Sequence, residues 1–163
     1  MVTQESINPL KGNIVRVSDY LDESSICFLD VNSRDDALEA LVESLASTGK
    51  VANRESFYKA ILDREKIVST GIGMGVAIPH AKMDEFDSFF IAVGIQKEKG
   101  LEWNALDKAP VKLIFMIGGP ENRQTEYLQI LSRLTFALKN VELRKSLLTS
   151  DKKKLVLELF ASF

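Results

Sequence analysis

Residues 69–82 read Ser-Thr-Gly-Ile-Gly-Met-Gly-Val-Ala-Ile-Pro-His-Ala-Lys, and this stretch holds the side chains best suited to chemistry. His80 is the only histidine in the chain. A neutral imidazole nitrogen is a nucleophile near pH 7, and Pro79 stiffens the backbone just before it. Gly71, Gly73 and Gly75 can take positive φ and let a ligand approach the main chain. Successive exposed N–H groups there would form an anion nest. Ser69 and Thr70 add hydroxyl donors, and Lys82 adds positive charge. Arg64, just upstream, offers a planar fork that matches phosphate oxygens. The set points to a histidine that accepts a phosphoryl group. The same residues also have plainer uses. His80 is equally an ordinary surface or capping residue, and the glycines make turns or a bulge. Arg64 is a cation at a helix C-terminus, and Lys82 is solvated charge beside Asp84 and Glu85.

Several other chemistries are excluded. One cysteine, Cys27, and one histidine cannot build a Cys/His zinc site, an intrachain disulfide or a relay between two histidines. The glycine loop lacks the Walker A spacing and the dinucleotide fingerprint; with no G-x-S-x-G elbow legible, a hydrolase using His80 as general base stands last among the readings. Lys and Arg number 21 against 23 Asp and Glu, a net charge of −2. Without a basic excess, neither nucleic acid nor an anionic membrane is an expected partner. No secretory signal opens the sequence. No apolar run nears the roughly 18 residues of a membrane span. A cytoplasmic location is expected.

The elements that must position this loop follow from periodicity. Residues 1–13 are polar and hold Pro9 and Gly12, so they read as a flexible lead-in, with one domain over 14–163. Ile14–Leu21 suggests an extended piece and a helical turn from Ser18, and Ile26–Val31 a strand. Ser33 with Asp36 is a helix start, and Leu38, Leu41, Val42 and Leu45 follow at helical spacing to Gly49. A second helix carries Phe57, Ala60 and Ile61 and runs to about Arg64. Val76–Ile78, Phe89–Ile95 and Val111–Ile117 are strand candidates, the last ended by Gly118, Gly119 and Pro120. Tyr127, Leu131, Leu134 and Leu138 form one helical stripe. Asn140 and Ser150 are expected to cap two further helices, the last facing Leu155, Val156, Leu159 and Phe160 inward. Central strands between helices indicate an α/β domain.

From the Arg64-Glu65 pair through Ser69-Thr70-Gly71 to Ala77-Ile78-Pro79-His80, the sequence resembles the EIIA domains of the fructose/mannitol class. These belong to the bacterial phosphoenolpyruvate-dependent phosphotransferase system, and the nitrogen-regulatory EIIA proteins are their free-standing relatives. Leu101–Val111, Phe115 and the helix from Tyr127 extend the resemblance over roughly residues 15–160. It implies a mixed sheet flanked by helices on both faces, the EIIA type 2 fold. It implies a phosphocarrier with His80 as acceptor, loaded by HPr or its nitrogen-branch equivalent. Neither metal nor organic cofactor is implied. Arg64 and Tyr127 would join His80 at the reacting centre. Ser69, Thr70, Gly73, Gly75 and Lys82 would bind phosphate.

Two positions depart from the family pattern. Ala81 stands where glycine usually follows the histidine. Tyr127-Leu128 stands where many members have His-Leu, and that second histidine is thought to help hold the phosphoryl group. Tyrosine donates one hydrogen bond but carries no positive charge. Two alternatives therefore stand beside a regulatory phosphocarrier. One is a non-catalytic protein-binding module, docking partners around Ile72, Met74, Met83 and Phe86, residues that are more often core. The other is a sugar-transport component that hands phosphate to EIIB. Since the chain ends at Phe163 without an EIIB-like cysteine site, the regulatory branch is the expectation.

Overall fold

The computed structural model describes residues 15–163; the expected lead-in, 1–13, lies outside the described residues. A 3-10 turn at Val17–Tyr20 and another at Glu23–Ser25 lead into strand β1, Ile26–Leu29. Helix α1, Arg34–Ser47, starts where Ser33 Oγ accepts the Asp36 N–H at 3.1 Å. Gly49 ends this region at φ 85°, a conformation open to glycine at little cost. Helix α2, Arg54–Ile67, is capped by the Asn53 side chain and carries Arg64 in its last turn.

Short strands follow: β2 at Gly71–Gly73, β3 at Val76–Ala77 and β4 at His80–Lys82. Two seven-residue strands, β5 at Phe90–Gln96 and β6 at Leu113–Gly119, form the buried centre. The sheet order is β1-β5-β6-β3-β2, with β4 also paired to β6. Pairing is parallel for β1–β5, β3–β6 and β4–β6, and antiparallel for β5–β6 and β2–β3. The sheet is therefore mixed, as expected.

Alternate residues of the central strands feed two cores, because side chains point to opposite faces with a period of two. Ile91, Val93, Ile95, Phe115 and Ile117 pack against helices α3 (Gln124–Leu138), α4 (Val141–Thr149) and α5 (Lys153–Leu159). Phe90, Ala92, Ile114 and Met116 pack against α1 and α2. Helices thus cover both faces of the sheet.

Several local expectations change. Gly118 lies inside β6 and Gly119 is its last residue, with Pro120 just beyond. A Cβ on Gly118 would come 2.4 Å from Phe90 Cζ, and one on Gly119 2.0 Å from Phe89 Cδ1. These glycines make room for rings, not for a turn. Ser150 does not cap α5. It closes α4, donating to the Ser146 carbonyl at 2.8 Å. Leu155, expected inside, is exposed. Of the apolar residues considered for docking, Phe86 is buried against Phe57 and Phe90. Ile72 and Met83 pack partly on the cores, and only Met74 is exposed.

Candidate functional site

Strand β4 pairs with β6 alone among the described residues, with His80 opposite Ile117 and Lys82 opposite Gly119. Its alternation turns Ala81 into the α1/α2 core and leaves His80 and Lys82 beside α3. The last turn of α2 approaches this edge from one layer and the first turn of α3 from the other.

Arg64 Nε donates to His80 Nε2 at 3.2 Å, and Arg64 Nη1 donates to the Val68 carbonyl at 2.9 Å. On its other side, His80 Nδ1 lies 3.1 Å from the Ile78 carbonyl. A guanidinium can only donate and a carbonyl only accept. The partners therefore assign the proton to Nδ1 and a lone pair to Nε2. Burial lowers the imidazole pKa from its ordinary 6.5. The Ile78 hydrogen bond opposes that shift, and the Arg64 and Lys82 charges add to it. His80 is accordingly neutral at pH 7, with its free lone pair on Nε2.

The Tyr127 ring centroid is 5.5 Å from that of His80. The residue is buried. Burial raises its pKa, with the Arg64 charge acting in the opposite sense. Lys82 Nζ sits 4.4 Å from the Tyr127 ring centroid and donates to Gln124 Oε1. A cation over a phenol face is attracted by the ring quadrupole. His80, Arg64, Lys82, Ala60, Ala81 and Glu121 line one open depression. The Glu121 carboxyl is raised by its hydrogen bond with Asp84 and by that neighbour's charge.

The other expected phosphate ligands have different employment. Ser69 Oγ donates to the Trp103 carbonyl at 2.7 Å and accepts the Gly71 N–H at 3.0 Å. Thr70 Oγ1 donates to Glu65 Oε1 at 2.6 Å. Both hydroxyl donors are committed inside the protein. Gly73 and Gly75, at φ 100° and 75°, shape the turn between β2 and β3. That turn's Met74 N–H already meets a carboxylate, Asp107 Oδ2, at 3.0 Å. Val76 pairs with Leu113 while His80 pairs with Ile117. The glycine turn is thus about 13 Å from His80 along β6. His80, Arg64, Lys82 and Tyr127 converge; Ser69, Thr70, Gly73 and Gly75 serve the hairpin.

Sequence reasoning passed over Gln124, Glu121 and the buried contacts of Glu65. Glu65 is 3% exposed and accepts from Thr70 and from Trp103 Nε1. An acidic residue next to Arg64 was the available signal. Its partners are 5 and 38 residues away and carry no shared pattern. Among the described residues, no cluster of three or more His, Cys, Asp or Glu could hold a metal. No helix among them is long and apolar enough to cross a membrane.

Comparison with known proteins bears on this arrangement. The chain is 34% identical over 150 residues to the fructose-specific EIIA component of Haloferax volcanii, covering 88% of this chain and 97% of that protein. It is 33% identical to the fructose-specific EIIABC component of Bacillus subtilis, covering 89% of this chain but only 23% of that longer protein. The crystal structure of nitrogen regulatory protein IIA-Ntr from Neisseria meningitidis superposes with a TM-score of 0.82 at 29% identity. That match covers 89% of this chain and 99% of the other. The sequence profile described as "Phosphoenolpyruvate-dependent sugar phosphotransferase system, EIIA 2" matches residues 19–163. A match that takes in the sheet, both helical layers and the His80 edge makes the chain a member of the EIIA 2 family of the phosphoenolpyruvate-dependent sugar phosphotransferase system.

Proposed function

We propose that His80 is the phosphoryl acceptor of a phosphocarrier loaded by HPr or an HPr-like protein. The observation that carries this reading is the pair of contacts on the imidazole, Arg64 at Nε2 and the Ile78 carbonyl at Nδ1. The Nε2 lone pair attacks the phosphorus of the donor phosphohistidine. One N–P bond breaks on the carrier as another forms on His80, and the leaving electron pair returns to the donor imidazole. Nδ1 keeps its proton against Ile78. Arg64 exchanges the imidazole for phosphoryl oxygens, a charge-assisted contact. Lys82 leaves Gln124 for the same charge, and Tyr127 forms the wall beneath it. The relay uses no metal or organic cofactor and runs in the cytoplasm.

The outlet is a regulatory target protein, a reading supported by the likeness to the nitrogen regulatory structure. The fructose-specific relatives support a second outlet, an EIIB domain in sugar transport. Tyr127 favours one further reading, a binding module with reduced chemistry, because the phenol cannot carry the charge of a second histidine.

The test is incubation with labelled phosphoenolpyruvate, enzyme I and the carrier. The expected product is an acid-labile, base-stable label that is absent from His80→Ala. No label on the native protein would leave the binding-module reading in its place. Passage of the label to an added EIIB would select transport over regulation.

A further inference from the structure

Arg64 and Glu65 are neighbours in the last turn of α2, and they serve opposite sides of the imidazole. Arg64 meets Nε2 directly. Glu65 connects with Nδ1 through the main chain. Its carboxylate is buried and accepts three hydrogen bonds from two residues. The Thr70 N–H and Trp103 Nε1–H reach Oε2 at 2.7 and 3.1 Å, and the Thr70 hydroxyl reaches Oε1 at 2.6 Å. A carboxylate removed from water persists when its oxygens are satisfied in this way. The Thr70 carbonyl then accepts the Ile78 N–H at 3.0 Å, and the Ile78 carbonyl lies 3.1 Å from His80 Nδ1. An unbroken hydrogen-bonded line runs from the indole, through the carboxylate and two main-chain segments, to the imidazole. Ser69 ties the base of this line to the Trp103 carbonyl. Hydrogen bonds in such a chain polarise and orient one another.

We propose that Glu65 is a positioning residue for His80, anchoring Thr70 and thereby the Ile78 carbonyl that holds the imidazole in its Nδ1–H tautomer. The opposite tautomer would set an Nε2–H against the Arg64 Nε–H and hide the lone pair from an incoming phosphorus. The consequence for phosphoryl transfer rests on the phosphocarrier reading. The tautomer itself does not, because it is set before phosphate arrives.

His80 is the only histidine, so untagged, nitrogen-15 labelled protein gives a single pair of imidazole nitrogen signals in long-range proton–nitrogen NMR spectra. At pH 7.5 the native protein is expected to show mainly Nδ1–H. A predominantly Nε2–H imidazole in the native protein would overturn the inference outright, with no variant needed. Thr70→Val keeps the volume and removes one donor to Glu65; Glu65→Gln puts an amide among donors. Each should lower the ratio of Nδ1–H to Nε2–H by roughly threefold to tenfold. Thr70→Ser, which keeps the hydroxyl, should restore it. If Glu65→Gln loses the fold, the two Thr70 variants decide. A native ratio in folded Thr70→Val would remove the positioning role. Phosphorylation rates measured on the same samples should fall in step with the ratio. Absence of phosphorylation in the native protein, with the tautomer pattern intact, would sink the carrier reading and leave this one standing.

Discussion

Arg64 holds two acceptors at once, the Nε2 lone pair of His80 and the Val68 carbonyl. Phosphoryl oxygens offer that fork a stronger, bidentate partner. Arg64→Ala should therefore fold normally and slow phosphorylation of His80 by about tenfold to a hundredfold. An unchanged rate would take Arg64 out of the site. At Tyr127 the ring supports Lys82. Tyr127→Phe should shorten the lifetime of phosphohistidine by less than about twofold. Tyr127→His adds a group able to carry charge, and should raise yield or lifetime about severalfold. Equal yields and equal decay after donor removal in all three proteins would reduce Tyr127 to packing. His80 itself couples the site to pH. Its folded pKa is depressed below 6.5, first by burial and then by the Arg64 and Lys82 charges, so the unfolded chain takes up the proton more readily. The associated stability is fully present above pH 6.5 and is lost as pH falls from there through the folded pKa. Urea unfolding at pH 7.5 and 5.5 should show a smaller loss for His80→Gln than for the native protein. Identical losses would contradict the assigned burial.

Helix starts were legible where the signal is local. Ser33 and Asn140 both cap the helices expected of them, each side chain accepting an N–H three residues on. The Tyr127–Leu134–Leu138 stripe also faces the core, although Leu131 is only partly buried in it. Strands β2 and β4 were not legible, because three residues show no period, and β4 also depends on the distant β6 for its pairing. Within the site, the gathering of His80, Arg64 and Tyr127 followed from the family pattern. The true partners of Ser69 and Thr70 did not, because Trp103 and Glu65 join them only after folding. The role of Gly118 and Gly119 was not legible for a similar reason, since glycine punctuates turns in sequence but here also admits Phe89 and Phe90. Gly118→Ala tests that assignment. A new Cβ 2.4 Å from Phe90 Cζ and 2.9 Å from Phe57 Cζ must displace rings that pack together. The cost should be about 1–3 kcal/mol by urea denaturation. A change below about 0.5 kcal/mol would mean that β6 does not need glycine there.

Across the molecule, the two cores meet at the sheet and the candidate site sits at its edge. The α1/α2 layer supplies Arg64, the α3 layer supplies Tyr127 and Gln124, and β4 between them supplies His80 and Lys82. Neither layer alone makes the site, so the proposed His80 chemistry depends on the three-layer fold. The membership of the chain in the EIIA 2 family gives that arrangement its context. The central claim is narrower: the nucleophile is Nε2 of His80. Phosphorus–nitrogen NMR couplings in nitrogen-15 labelled protein, loaded from phosphoenolpyruvate through enzyme I and the carrier, measure it directly. The account predicts one phosphoryl group bonded to His80 Nε2, with Nδ1 still protonated against Ile78. A phosphoryl group on Nδ1 or on another residue, or none under complete loading conditions, would contradict it.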